Sequence, residues 1–158
     1  MTHEESIIEV VRKTLPSVVS IIISKTLEEI DIPDEYFFDF LRGHFDGDGT
    51  FYSYWDLRWK SSFMFYTEFI SASKRHIDWL RGEIRKKVRI NGHITSGGRN
   101  GMTYQLKYAK KESLEIIKKM YYNPKAICLS RKRAKITKAL GLDRDNYARV
   151  EKLVNSPS

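Results

Sequence analysis

The chain is predicted to be an α+β protein with elements in the order αββαββα and an antiparallel sheet. Three observations predict this. Two pairs of segments carry strand signatures and lie close enough in sequence to form hairpins. Helical periodicity separates the pairs and follows the second. Glycine and asparagine clusters fall at the joints. A length of 158 residues supports one domain with a real core.

Each element has its own justification. Glu35 to Phe45 is apolar at helical spacing and is closed by the glycines at 47 and 49. Thr50 to Lys60 alternates aromatic and polar residues, and Phe63 to Ser71 forms the second strand. Lys74 to Val88 places Ile77, Leu80, Ile84 and Val88 on one helical face, with Ser73 as N-cap. Asn91-Gly92 marks a turn, His93 to Ser96 a short strand, residues 97–101 a glycine loop, and Met102 to Ala109 the last strand. Glu112 to Tyr122 is helical up to Asn123-Pro124. Ser130 to Leu140 is a final helix ended by Gly141, with a tail that is helical through Val154.

Residues 1–33 form a leader, and residues 34–158 the main domain. Apolar residues from Ser6 to Ile30 recur at helical spacing with Pro16 interrupting, whereas the β-branched run Val18 to Ile23 fits a strand equally well. Ile32-Pro33-Asp34 reads as a linker with Asp34 as the next N-cap.

Composition bounds the function. Hydrophobic residues at 41% and aromatics at 13% exclude a disordered tail. Lysine and arginine total 28 against 20 acids, a net charge of +8, which favours a polyanionic partner. The single cysteine, Cys128, excludes an internal disulfide and a cysteine-based zinc site, and fits an intracellular setting. No run of eighteen apolar residues predicts a membrane span, and the N-terminus lacks the basic region of a secretory signal. His3, His44, His76 and His93 have no metal-ligand spacing; His76 reads as a surface or capping residue.

The most informative stretch is Phe38 to Gly49, a short apolar helix ending in two acids interleaved with glycines. Carboxylates repel a nucleic-acid backbone unless a hard cation lies between them. Gly43 and Gly47 are four residues apart, on one helical face that admits close approach of another helix. An aspartate at a helix C-terminus opposes the dipole, a penalty that a divalent cation would remove. The same Asp-Gly-Asp-Gly string also fits a plain turn.

Leu41-Arg42-Gly43-His44-Phe45-Asp46-Gly47-Asp48-Gly49 resembles the signature of LAGLIDADG homing endonucleases, with Arg42 replacing a small residue and His44 an apolar one. With the element order, the resemblance covers roughly residues 34–140. It implies an αββαββα fold with a curved sheet and a site-specific, intron-encoded endonuclease acting on double-stranded DNA. It implies a divalent metal, Mg2+, held by Asp48 and the Gly47 carbonyl, and a catalytic lysine, best matched by Lys132. Asp46 is read as a helix-end acid. One motif copy implies a homodimer on a near-palindromic site, with Leu41, Gly43, His44 and Gly47 at the dimer contact.

A curved sheet can enter the major groove and present alternate side chains to bases. In the first strand Tyr52, Tyr54, Asp56, Arg58 and Lys60 share the face assigned to DNA, with Phe51, Ser53, Trp55, Leu57 and Trp59 opposite. His93, Thr95, Gln105 and Lys107 are assigned to the same side, and Arg99 to phosphate or base from the glycine loop. In the second strand both alternating sets are largely apolar, and its DNA side stays open. The leader, around Leu15-Pro16-Ser17-Val18-Val19-Ser20-Ile21, resembles the start of trypsin-fold proteases of the high-temperature-requirement type, as if host-gene sequence were fused at an intron or intein insertion point. Two other function classes compete: a non-cleaving DNA- or RNA-binding protein on this scaffold (a maturase or transcription regulator), and an interaction module assembled through the glycine-faced helix.

Overall fold

A computed structural model describes residues 32–58, 62–97 and 103–154, with side chains described through residue 145. A 3-10 turn, Asp34–Tyr36, leads into α1, Phe37–Asp48. The hairpin β1, Thr50–Trp55, and β2, Phe63–Ser71, follows. Next come α2, Lys74–Val88, the strands β3, His93–Gly97, and β4, Thr103–Ala109, then α3, Lys110–Met120, and α4, Ser130–Val154. The four strands form one antiparallel sheet in the order β1-β2-β4-β3, so the two hairpins join through β2 and β4. This is the α+β, αββαββα arrangement expected.

The helices cover one side of the sheet. Phe51, Phe63, Phe65, Phe69, Leu106 and Tyr108 point inward and are buried against Leu41 and Phe45 of α1, Ile77, Leu80 and Ile84 of α2, and Ile116 and Met120 of α3. Period-2 alternation in the strands and period-3.6 spacing in the helices supply this core. Ser113 joins the layers: its hydroxyl accepts from the Thr67 backbone N–H at 2.8 Å and donates to the Tyr108 carbonyl at 2.7 Å. Ser73 caps α2 by accepting from the His76 N–H. Gly92 takes φ +55°, and a β-carbon there would stand 2.6 Å from the Tyr108 ring, so the Asn91-Gly92 turn requires glycine. Among the described residues no helix is long and apolar enough to cross a membrane.

Several expectations are corrected. Helix α1 does not stop at Phe45; it runs through Gly43 and Gly47 to Asp48, because its final carbonyls are bonded by a distant lysine. Asp34 does not cap it; its carboxylate pairs with Lys87 of α2 instead. Helix α4 continues past Gly141, costing about 1 kcal/mol relative to alanine; Asp143, just beyond, pairs with Lys110 at the start of α3. Strand β1 ends at Trp55, and Leu57 is 96% exposed at the hairpin tip rather than in the core. The leader residues 1–31, and Trp59, Lys60 and Arg99, lie outside the described residues.

Leu41 and His44 do not lie on an open surface. Leu41 is wholly within the core, and His44 is buried between Phe40 and Phe69, its ring stacked on His76 at 5.0 Å between centroids. Their assignment to a dimer contact is therefore corrected, as is the reading of His76 as a surface residue. Of the four contact residues expected, Gly43 and Gly47 are the exposed ones.

Burial, then the charge of His76, pushes the His44 imidazole down to about 4; burial also lowers His76. The unfolded chain binds protons near pH 6.5, whereas the native pair resists them. Stability is thus complete above about pH 6.5 and declines as pH falls towards 4, by about 3 kcal/mol from His44. We expect His44→Phe to flatten this part of the pH–stability curve in urea titrations at pH 4.5 and 7.5. An equal acid loss in both proteins would contradict the assignment.

Candidate functional site

The site begins at the end of α1. A helix leaves its last carbonyls without intrahelical partners and carries partial negative charge there. Lys132, in the first turn of α4, answers both. Its ammonium donates to the carbonyl oxygens of Phe45 at 2.5 Å, Asp46 at 2.9 Å and Gly49 at 2.6 Å, and lies over the Phe45 ring. All three N–H donors are used. Burial lowers the Lys132 pKa, and the nearby charges of Asp46 and Asp48 oppose that shift. The basic segment and the motif, far apart in sequence, thus meet, and Lys132 acts here as a helix cap.

The two aspartates have separate surroundings. Asp46 is half-buried and accepts from the Leu129 N–H at 2.8 Å, fixing the segment that enters α4. Asp48 is exposed, and its carboxylate makes no hydrogen bond or ion pair among the described residues. Arg42 is almost fully buried; it donates to the Met120 carbonyl at 2.7 Å and the Ile127 carbonyl at 3.1 Å, and pairs with Asp39 at 2.6 Å. Its bulk is therefore taken up inside the chain rather than on the glycine face.

The three motif glycines differ. A β-carbon at Gly49 would lie 2.7 Å from both the ring and the carbonyl oxygen of Phe45, so the step from helix to strand requires glycine. At Gly43 and Gly47 a β-carbon would meet nothing within 4 Å. Each costs about 1 kcal/mol of helix propensity, and none of the described residues uses the space.

The outer face of the sheet is the second part of the site. Directly opposed residues share a face. The register Tyr52↔Tyr66, Tyr54↔Met64, Glu68↔Lys107, Ile70↔Gln105, His93↔Lys107 and Thr95↔Gln105 therefore gathers every described strand residue assigned to DNA on one side. Asp56 extends the row, its N–H bonded to the Ser62 carbonyl beyond the strand. The register also resolves β2: Met64, Tyr66, Glu68 and Ile70 face outward. Sequence reasoning missed them because both faces of β2 are aromatic or aliphatic; the acid at 68 and the tyrosine at 66 were the signal.

This face is aromatic and charge-paired. Tyr52, Tyr54 and Tyr66 stack, with centroids 5.2 to 6.5 Å apart and interplanar angles of 4° to 15°. Glu68 is only 5% exposed and bonds Lys107 at 2.9 Å. Burial and the bond to Glu68 push the Tyr52 phenol up to about 12.

The donors at the end of α1 are hard oxygens, the Asp48 carboxylate and backbone carbonyls, which suit Mg2+ rather than a soft metal. Among the described residues no three His, Cys, Asp or Glu side chains converge. Lys132→Met is expected to lower unfolding stability by about 2 kcal/mol in denaturant titration, because three carbonyls at a helix end lose their donor. Lys132→Arg should not restore it, since a planar guanidinium cannot address three convergent oxygens. Full stability in Lys132→Met would refute the cap.

No protein-family model matches the chain, and no curated protein is significantly similar. Solved structures are. The homing endonuclease I-TnaI superposes with a TM-score of 0.52 at 19% identity, over 73% of this chain and 76% of that one. The archaeal intron-encoded homing endonuclease I-Vdi141I, complexed with DNA, gives 0.52 at 16% identity over 77% and 81%. The LAGLIDADG meganuclease I-AabMI, bound to uncleaved DNA, gives 0.51 at 21% identity over 72% of this chain; the match spans only 38% of that chain. At these identities the likeness is one of architecture: the chain has the fold of the LAGLIDADG homing endonucleases.

Proposed function

We propose that the protein is a member of the LAGLIDADG family and a site-specific DNA endonuclease that works as a homodimer with a divalent metal. The observation that carries this reading is the open face of Gly43 and Gly47 on α1, ending at the exposed Asp48. Helix α1 bears the cost of two glycines on which none of the described residues packs. A second copy of α1 approaching that face would bring two Asp48 carboxylates together.

In this reading the parts divide the work. The tyrosine-lined sheet enters the major groove and sets register on the DNA. Asp48 and the Gly47 carbonyl would hold the metal, which when bound activates water and relieves charge on the leaving oxygen. Lys132 fixes the backbone that presents Asp48, and its positive charge stands beside the developing phosphate charge. The net charge of +8 supplies phosphate attraction that weakens with salt.

Incubation with a plasmid library and Mg2+, followed by sequencing of cut ends, tests the activity. Asp48→Asn should retain duplex affinity within about threefold and lose at least about 100-fold in cleavage rate; cleavage at the parental rate would overturn the metal assignment. Gly43→Leu meets open space in one chain, so its thermal midpoint should hold. It should nevertheless halve the mass measured by light scattering and abolish cutting. A dimeric, active Gly43→Leu would exclude assembly through this face.

A further inference from the structure

We propose that Arg58 reads a guanine in the major groove and that Asp56 is its positioning residue. This rests on the DNA-binding reading above. Asp56 Oδ1 accepts from the Arg58 backbone N–H at 3.0 Å and from Nε at 3.1 Å, and Oδ2 accepts from Nη2 at 2.9 Å. The carboxylate thus grips the side edge of a guanidinium that is otherwise 82% exposed.

A guanidinium has five N–H donors in a rigid plane. Two are spent on Asp56. The remaining hydrogen on Nη2 and its neighbour on Nη1 form a parallel fork directed away from the carboxylate. That fork matches the two acceptors O6 and N7 of guanine; adenine offers an acceptor and a donor there and cannot satisfy it. An exposed ion pair adds little stability, so the effect of the Asp56 bonds is orientation. They also neutralise Arg58 locally, which weakens its pull on phosphate and favours base contact.

Position agrees with this role. Asp56 continues the outward row of Tyr52 and Tyr54, past the end of β1. The six residues of β1 place the pair about 20 Å from Asp48, the rise of about six base pairs. The guanine should therefore lie well outside the central base pairs, once in each half-site.

The test selects bound duplexes from a pool with randomised half-sites, in metal-free buffer, for the parent, Arg58→Ala, Arg58→Lys and Asp56→Ala, with salt-dependence measured on the parent's best site. The parent should enrich guanine at one outlying position per half-site. Arg58→Ala should lose that preference by at least about 10-fold, with other positions and the salt slope unchanged. Arg58→Lys should not restore it. Asp56→Ala, which keeps the arginine but frees it, should blunt the preference. If the parent selects a site and Arg58→Ala leaves every preference intact, the inference fails alone. If Arg58→Ala weakens all sequences alike and lowers the salt slope by about 1, Arg58 is a phosphate contact and the inference fails. If the parent selects no sequence, the DNA-binding reading fails with it.

Discussion

The structure depends on one ammonium group meeting three carbonyl oxygens. Lys132 satisfies the end of α1, where unpaired carbonyls and the helix dipole would otherwise leave negative charge uncompensated beside two aspartates. Because the lysine comes from α4, the bond also fixes the chain's last helix to its first. Asp46 reinforces that joint by bonding the Leu129 N–H, and Arg42 by bonding the carbonyls of Met120 and Ile127. The motif is therefore held on one side by the segment that follows α3, and among the described residues nothing packs on the glycines of its other side.

The same economy governs the sheet. Its outer face carries acids where a DNA-binding surface is expected to avoid them, and each acid has a cation: Glu68 has Lys107, and Asp56 has Arg58. The exposed Asp56–Arg58 pair does little for stability, whereas the buried Glu68 needs its cation. The physical consequence of both pairs is to hold long, flexible cations in one orientation and to reduce their attraction for phosphate. Between the pairs, three stacked tyrosines give a flat, hydroxyl-edged surface with few rotamers to freeze. In the proposed DNA-binding reading, such a face would distinguish bases by geometry, while the net positive charge of the chain would supply general attraction to the backbone.

Glycine serves opposite purposes within nine residues. At Gly49 it is demanded from inside, by the Phe45 ring. At Gly43 and Gly47 nothing among the described residues demands it, and helix propensity argues against it. The cost of these two glycines is what the proposed approach of a second copy of α1 would account for.

The sequence by itself determined the element order, the inward aromatic face of β1, the apolar face of α2, the cap at Ser73 and the turn at Gly92. These follow from local periodicity and turn chemistry, which need only neighbouring residues. It did not determine which side of β2 faces outward, because Tyr66 and Phe65 are alike in hydropathy, and only pairing with β1 and β4 separates them. Nor did it show that Leu41, His44 and His76 lie inside the core, that α1 reaches Asp48, or that α4 passes through Gly141. Those outcomes were decided by contacts between residues far apart in the chain: a lysine on a helix end, a stacked imidazole pair, and an ion pair between α3 and α4. Local sequence sets what each segment can form, and the tertiary structure decides where a segment ends and which of its faces water sees.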